Sequence, residues 1–277
     1  MSWLETARSA VNRWEIDTTE HFTVAFYFAR LGDATFAMLD TLGMSPSAAQ
    51  TTEAYLRFQR ELRVGDVFHI ASGVIDVDDD ALLLGHKIFD SADGALTTTV
   101  EHRLRLAVTP DLRKKADAQR VTWDGPKREQ RPQPRGLDGF YDTIRDSVRP
   151  WEIDLHGGGA LMHYIHRFAA ANGQATAAFG LTPAFYREQR GGFSTFEFQL
   201  TFDGVLRAGD LLVVKSAPLH IGNSSIRIFH QMLDARTGTR VASLDQFGVL
   251  LDNDARRPMP LPDWMKERGK ALIAPTV

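Results

Sequence analysis

The 277-residue chain contains no cysteine. Disulfides, thiolate-bound zinc and a cysteine nucleophile are therefore excluded, and a reducing compartment suits the composition. No apolar run approaches the ~20 residues a membrane-spanning helix requires. The opening Met1-Ser2-Trp3-Leu4-Glu5 lacks a basic stretch followed by an apolar one, so no secretory signal is expected. Neither sign of charge dominates: 32 Lys and Arg stand against 35 Asp and Glu, a formal net charge of −3. That balance argues against a nucleic-acid-binding protein. What is present is 43% hydrophobic residues, enough for one large core or two smaller ones. The expected location is the cytoplasm, with no membrane partner.

The most informative feature is an internal repeat. Val11-Asn12-Arg13-Trp14-Glu15-Ile16-Asp17 returns 137 residues later as Val148-Arg149-Pro150-Trp151-Glu152-Ile153-Asp154. The same shift pairs Tyr27 with Tyr164, Arg30 with Arg167, Ala34 with Ala171, Gly43 with Gly180 and Pro46 with Pro183. Beyond Pro183 the shift becomes 144: Phe58 meets Phe202, Leu62-Arg63 meets Leu206-Arg207, Gly65-Asp66 meets Gly209-Asp210, and His86 meets His230. The order never breaks, and a seven-residue insertion accounts for the change. The chain thus reads as two copies of one unit, with the first over 1–110, a linker over 111–138 and the second over 139–277.

Within each copy the pattern is one helix followed by several strands. Arg13 to Asp17 alternates apolar with charged residues, which predicts a half-buried strand ending at the aspartate, and Trp151 to Asp154 predicts another. Thr18-Thr19-Glu20 offers capping side chains for a helix start. Apolar residues at helical spacing from Phe22 to Leu42 predict a helix buried on most sides, stopped by Gly43. Leu161 to Phe179 predicts its counterpart. Strands follow over Tyr55–Arg60, Val67–Ile75, Leu82–Phe89 and Leu96–Val108, and again over Phe193–Phe202, Leu211–Ser216, Ser225–Leu233 and Arg240–Leu251. A long helix followed by antiparallel strands is an α+β pattern, not an alternating βαβ one. Residues 109–138 hold Pro110, Pro126, Pro132 and Pro134 among many charges and read as a surface linker with a solvated face. The tail, Pro258 to Trp264, reads as extended, packing one aromatic ring.

Asp17-Thr18-Thr19-Glu20-His21-Phe22-Thr23-Val24-Ala25-Phe26-Tyr27 resembles the opening of the 4-hydroxybenzoyl-CoA-thioesterase-like branch of the hot-dog superfamily. In that pattern an Asp is followed by Gly-His-Val and then by a Tyr. His21 and Tyr27 fall in register, while Glu20 stands where the family usually has Gly. The turn Leu-Arg-x-Gly-Asp at 62–66 and 206–210 is similar to the family's as well. The second copy departs more, with Asp154-Leu155-His156-Gly157-Gly158-Gly159 placing Gly158 where the family has His. The resemblance implies a tandem double hot dog, two long helices each wrapped by antiparallel strands, forming an intramolecular pseudo-dimer. Further homodimerisation is common in that fold.

The implied chemistry is hydrolysis of an acyl thioester, carried on CoA or, as second choice, on an acyl carrier protein. Such a reaction needs a carboxylate to attack or to activate water, and donors for the oxyanion. Asp17 and Asp154 are the candidate nucleophiles or general bases, with His21 orienting the acyl group or sharing a proton. The first-turn amides of the helix, Val24 among them, are candidate oxyanion donors. Tyr27, Asp33, Gly157 and Gly158 complete the candidate substrate-binding set, the glycines by letting backbone approach a ligand closely. Each aspartate can instead be read as a plain helix cap worth ~1 kcal/mol. His163 and His166, with His156 before them, have metal-ligand spacing but no acidic third ligand, so no metal or other cofactor is expected. His86 and His230 read as packing or sheet-face residues. Two other functions remain open: a non-catalytic acyl-thioester-binding protein, and a hot-dog hydratase or dehydratase. The latter usually has His five residues after the Asp, with Asn-Pro between; here His21 comes four after Asp17.

Overall fold

The computed structural model describes residues 3–17, 19–154 and 158–277. They form two compact units, one comprising Met1–Lys127 with Trp151–Ile165 and the other Arg128–Pro150 with His166–Val277.

In the first unit, β1 (Leu4–Ala10) leads through a 3-10 turn at Arg13–Glu15 to α1 (Val24–Thr41). β2 (Gln50–Phe58), β3 (Val67–Val77), β4 (Ala81–Asp90) and β5 (Leu96–Arg105) follow, then α2 (Pro110–Ala118). All strand pairs are antiparallel, in the order β1-β3-β4-β5-β2. The buried residues of α1, Tyr27, Phe28, Leu31, Ala34, Thr35, Met38 and Leu39, recur every three or four positions and so cover one broad face. Met38, Leu39 and Leu42 pack against Val74, Leu82, Leu84 and Leu104 of the sheet. The helix ends as expected at Gly43, whose φ of +73° suits glycine. Gly43 N donates to Asp40 O at 2.8 Å and Met44 N to Leu39 O at 2.8 Å, a Schellman pair that satisfies two terminal carbonyls.

The second unit runs β6 (Tyr141–Ser147), α3 (Leu161–Ala177), α4 (Pro183–Gln189), β7 (Gly191–Phe202), β8 (Leu211–Ile221), β9 (Ser225–Asp234), β10 (Arg240–Asp252), a short β11 (Arg257–Pro258) and α5 (Asp263–Lys270). Its strand order, β6-β8-β9-β10-β7, is that of the first unit position for position. The insertion that changes the repeat shift is α4, where Thr182 Oγ1 accepts from Phe185 N at 3.2 Å and Pro183 opens the helix. In the first unit a single 3-10 turn, Pro46–Ala48, stands in its place. Among the described residues, no helix is long and apolar enough to cross a membrane.

Two expectations need correction. The two Trp-Glu-Ile-Asp segments are not strands but 3-10 turns, Arg13–Glu15 and Pro150–Glu152. Charged–apolar alternation misleads here because Trp14 and Trp151 are the exposed residues, at 74% and 76%, while Glu15 is buried. The linker is more structured than its composition suggests. It contains α2, anchored by buried Leu112 and Ala116 and capped by Thr109, and its later part is strapped to strands of each unit. Gly73 and Gly85 face each other across β3 and β4. A methyl group on Gly73 would come within 2.5 Å of Val121, and one on Gly85 within 2.9 Å of the Trp123 ring; glycine there lets the strap lie flat. Arg120 pairs with Asp76 at 2.9 Å, Lys87 with Asp124 at 2.5 Å, and Arg131 with buried Glu197. Arg120 and Asp124 stay exposed, as a solvated face requires, while pairing with charges on the strands, and Arg131 reaches in to buried Glu197. The tail is non-helical over 258–262 and enters α5 only at its last two residues; the Trp264 ring packs against Gly180 while half exposed, and Leu261 and Met265 are the core anchors beside it.

A buried polar line crosses every strand of each unit. In the first, Thr6 Oγ1 and Ser72 Oγ share a hydrogen bond of 2.6 Å, and Ser72 Oγ and His86 Nδ1 one of 2.7 Å. His102 continues it, bonded to Thr35 of α1 at 3.1 Å and to Thr51 of β2 at 2.8 Å. In the second, Thr143–Ser216 and Ser216–His230 are both 2.7 Å, and Gln246, the repeat partner of His102, donates to Thr195 Oγ1 at 2.7 Å. Burial pushes His86 well below its ordinary value, helped by neighbouring His102, and pushes His102 to about 4 and His230 to about 3.

Candidate active site

The first-unit site is assembled by a loop stitched to its neighbours at both ends. Val11 N donates to Asp66 O and Gly65 N to Val11 O, each at 2.9 Å, so the turn at 62–66 holds the end of β1. Asn12 donates to Glu15 Oε2 from its backbone at 2.8 Å and its side chain at 2.9 Å. The other Glu15 oxygen accepts from Arg30 Nη2 at 2.6 Å. Burying Glu15, which is 2% exposed, costs little because both its oxygens are bonded and its charge is matched. The pair ties the turn to the second turn of α1. Neither Glu15 nor Arg30 was a sequence candidate, although both recur under the repeat shift.

Beyond the turn the chain doubles back. Asp17 N donates to His21 O at 2.9 Å and Glu20 N to Asp17 O at 3.1 Å. Asp17 Oδ1 accepts from Thr19 N at 2.8 Å, Thr19 Oγ1 at 2.6 Å and His21 N at 3.2 Å. One carboxylate oxygen thus fixes the loop, while the side chain remains exposed and its second oxygen has no partner among the described residues. Asp17 caps its own loop, not α1. Glu20 sits at φ +62°, the left-handed region where a side chain costs ~1 kcal/mol or more. That explains the glycine usual at this position, and Gly157 stands there in the second copy. Glu20→Gly is therefore expected to stabilise the protein by about 1 kcal/mol, read as a higher urea midpoint; an unchanged or lower midpoint would show the loop is not strained.

The start of α1 is open. Thr23 is the N-cap residue but makes no side-chain capping bond, and no acid lies in the first turn. Thr23 Oγ1 is buried without a partner, and among the described residues the Val24 and Ala25 amides have none either. Threonines at the same position do cap α2 and α4. The unsatisfied donors and the positive end of the helix dipole are thus left together beside the Asp17 loop.

His21 is turned toward Glu61, with Nε2 to Oε2 at 2.6 Å, and the two residues lie on segments joined by Phe22 N to Leu62 O at 2.7 Å. Tyr27 is a core residue packed on Phe22 and Phe68; desolvation holds its phenol above the usual range. Asp33 is exposed, 3.7 Å from Arg30, well along α1. The structure therefore ties Asp17 to His21 by hydrogen bonds, three residues before Val24 opens α1, and places Tyr27 in the core and Asp33 at the surface.

In the second copy Asp154 N donates to Gly158 O at 2.8 Å, the counterpart of the Asp17–His21 bond, and Ala160 N donates to Glu152 O as Thr23 N does to Glu15 O. Gly157 and His156 lie outside the described residues. Here Glu152 lies 3.5 Å from His163, Arg167 Nη2 donates to Ser147 O at 3.1 Å, and Arg167 Nε lies 3.1 Å from Asp146 Oδ2. Among the described residues, no three His, Asp or Glu side chains are grouped to hold a metal.

The sequence pattern of the Thioesterase-like superfamily matches residues 11–122 and again 148–269, beginning at the two repeated valines. The chain belongs to that superfamily. Over 131 residues, 42% of its length, it is 29% identical to an L-carnitine dehydrogenase/betainyl-CoA thioesterase of Agrobacterium fabrum, and the match spans only 27% of that protein. This thioesterase-like chain also superposes on solved structures over 88% of its length. One is assigned as an oleoyl thioesterase of Lactobacillus plantarum (TM-score 0.68, 14% identity, 96% of that chain). Another is the 12:0-ACP thioesterase of Umbellularia californica (TM-score 0.66, 12% identity, 93% of that chain). These likenesses establish the fold, the tandem hot dog expected from the repeat.

Proposed function

We propose that this thioesterase-like protein hydrolyses an acyl thioester of coenzyme A at the Asp17 loop. The observation that carries the reading is an exposed carboxylate, held through one oxygen, shortly before a helix start whose Val24 and Ala25 amides have no partner among the described residues. The free oxygen of Asp17 takes a proton from water, or attacks directly, as the new C–O bond forms at the carbonyl carbon. The Val24 and Ala25 amides receive the oxyanion. The C–S bond then breaks and the thiolate leaves with the proton taken from water; in the water route this gives the carboxylic acid and free thiol at once, and in direct attack it leaves a mixed anhydride on Asp17 that a water molecule cleaves to the acid, restoring the carboxylate. Asp154 is the equivalent carboxylate of the second copy, with Gly157 and Gly158 admitting substrate close to the backbone. Coenzyme A is the carrier of choice because the partial relative above carries a CoA thioesterase name; acyl carrier protein is the alternative.

Thiol release measured over short, long and aromatic CoA esters, with matched acyl-carrier-protein substrates, tests this. Release from at least one CoA ester is expected. Calorimetric binding of these esters without any release would instead support a non-catalytic thioester-binding protein.

A further inference from the structure

We propose that the bare Nε2 of His86 is a buried receptor for one neutral O–H group in the first unit, supplied by a hydroxyl on a bound acyl chain or by a resident water, and that Gln246 closes the equivalent site in the second. The site stands apart from the hydrolytic reading above; only its use by an acyl chain rests on that reading.

The hydrogens along the polar line can be counted. Thr6 Oγ1 donates its one hydrogen to Ile70 O at 3.2 Å. In its 2.6 Å bond with Ser72 it therefore accepts, and the Ser72 hydrogen points at Thr6. Ser72 has none left for His86, so their 2.7 Å bond takes its hydrogen from His86 Nδ1. Burial keeps the ring neutral, which leaves a lone pair on Nε2. That atom has no partner among the described residues, in a side chain that is 0% exposed. The second copy counts out alike. Thr143 Oγ1 donates to Val214 O at 3.0 Å, Ser216 donates to Thr143, and His230 Nδ1 donates to Ser216. His230 Nε2 is likewise a buried acceptor without a partner.

The copies differ in what stands beside the lone pair. Next to His230 is Gln246, whose side chain reaches the ring and whose Oε1 is itself unpartnered. Turning that amide over sends its N–H to His230 Nε2 and lets its oxygen accept from Thr195 Oγ1, so both orphaned atoms are satisfied at once. Next to His86 the same position is His102. Its two nitrogens are committed to Thr35 at 3.1 Å and Thr51 at 2.8 Å, and a neutral imidazole has one hydrogen to give. A buried acceptor left bare forfeits its solvation, so an O–H from outside the chain completes the first unit.

The depth of the site suits an acyl chain. His86 pairs with Val100, midway between Thr98 and His102 on β5. Thr98 faces the Tyr27 phenol and His102 bonds Thr35. His86 therefore lies opposite the middle of α1, roughly 10 Å along the helix axis from Val24 at about 1.5 Å per residue. An acyl group with its carbonyl at the Val24 amide would carry its hydroxyl at that depth.

Ring-nitrogen NMR of the full chain tests this. Both His86 and His230 are expected to be protonated on Nδ1. Cross-relaxation with a long-lived water at His86, and none at His230, identifies the donor as a resident water. Without that signal, the His86 Nε2 resonance should move when the Asp17→Asn protein binds a long-chain hydroxyacyl-CoA and stay in place with the unsubstituted ester, which identifies the donor as the acyl hydroxyl. His102→Gln installs the amide of the second copy; it should abolish whichever signal the parent shows. In the acyl-hydroxyl case it should also lower the kcat/KM preference for the hydroxyacyl ester about 10-fold. A His86 protonated on Nε2, an Nε2 that meets neither water nor hydroxyl, or a signal that survives in His102→Gln would overturn the proposal. If the parent protein releases no thiol, the hydrolytic reading fails, whereas the NMR still decides the site.

Discussion

Asp17→Asn is expected to reduce kcat for thioester hydrolysis about 1000-fold while leaving the melting curve in place. The separation of effects follows from how the carboxylate is held. All three bonds to Oδ1 come from donors, Thr19 N, Thr19 Oγ1 and His21 N, and an amide oxygen accepts them as well as a carboxylate oxygen does. The loop keeps its shape, and what disappears is the charge and basicity of the second oxygen. Were Asp17 only a loop staple, the asparagine variant would behave as the parent does. Asp154→Asn is the companion measurement and should cost less, since Gly158 stands at the His21 position. A loss of less than threefold in Asp17→Asn would remove the carboxylate from the mechanism.

Acidification is expected to destabilise the protein steeply well before its carboxylates titrate. His86, His102 and His230 are fully or almost fully buried and stay neutral in the fold, with burial pushing His102 to about 4, His230 to about 3 and His86 also well below its ordinary 6.5. The unfolded chain protonates all three near pH 6.5. A depressed folded-state value means that the contribution to stability is complete above pH 6.5 and is lost as the pH falls from there toward the folded values. At pH 5 the loss is roughly 2 kcal/mol per histidine, a large part of the ~5–15 kcal/mol that holds a typical domain together. Urea midpoints at pH 7, 6 and 5 should fall progressively. His102→Gln installs what the second unit already uses at Gln246, so it should fold at pH 7 and show a shallower decline. A midpoint flat across this range would mean that the imidazoles are hydrated or matched by acids.

Much of this protein was legible in its residues alone. The two copies, the two long helices and the antiparallel strands followed from spacing, because apolar periodicity and the order of repeated residues survive independently of any contact. Asp17 and Asp154 stand out through the repeat, and His21 through the resemblance to the hot-dog pattern. Where local pattern and packing competed, packing decided. Trp14 turns outward where Glu15 is drawn inward by Arg30, and charged–apolar alternation carries no record of that exchange. The charges of the linker give no sign of the strand partners that the glycines of β3 and β4 let the strap reach.

By itself the sequence determined the duplication, the α+β class and the type of residue available for chemistry, since these depend on identity and order. Only the tertiary structure decided which of those residues work together. Glu61 is forty residues from His21, and no periodicity links them; they meet because the turn at 62–66 is hydrogen-bonded to the segment entering α1. The open helix start is of the same kind, because a threonine at an N-cap position announces a cap, and the folded loop alone shows that it makes none.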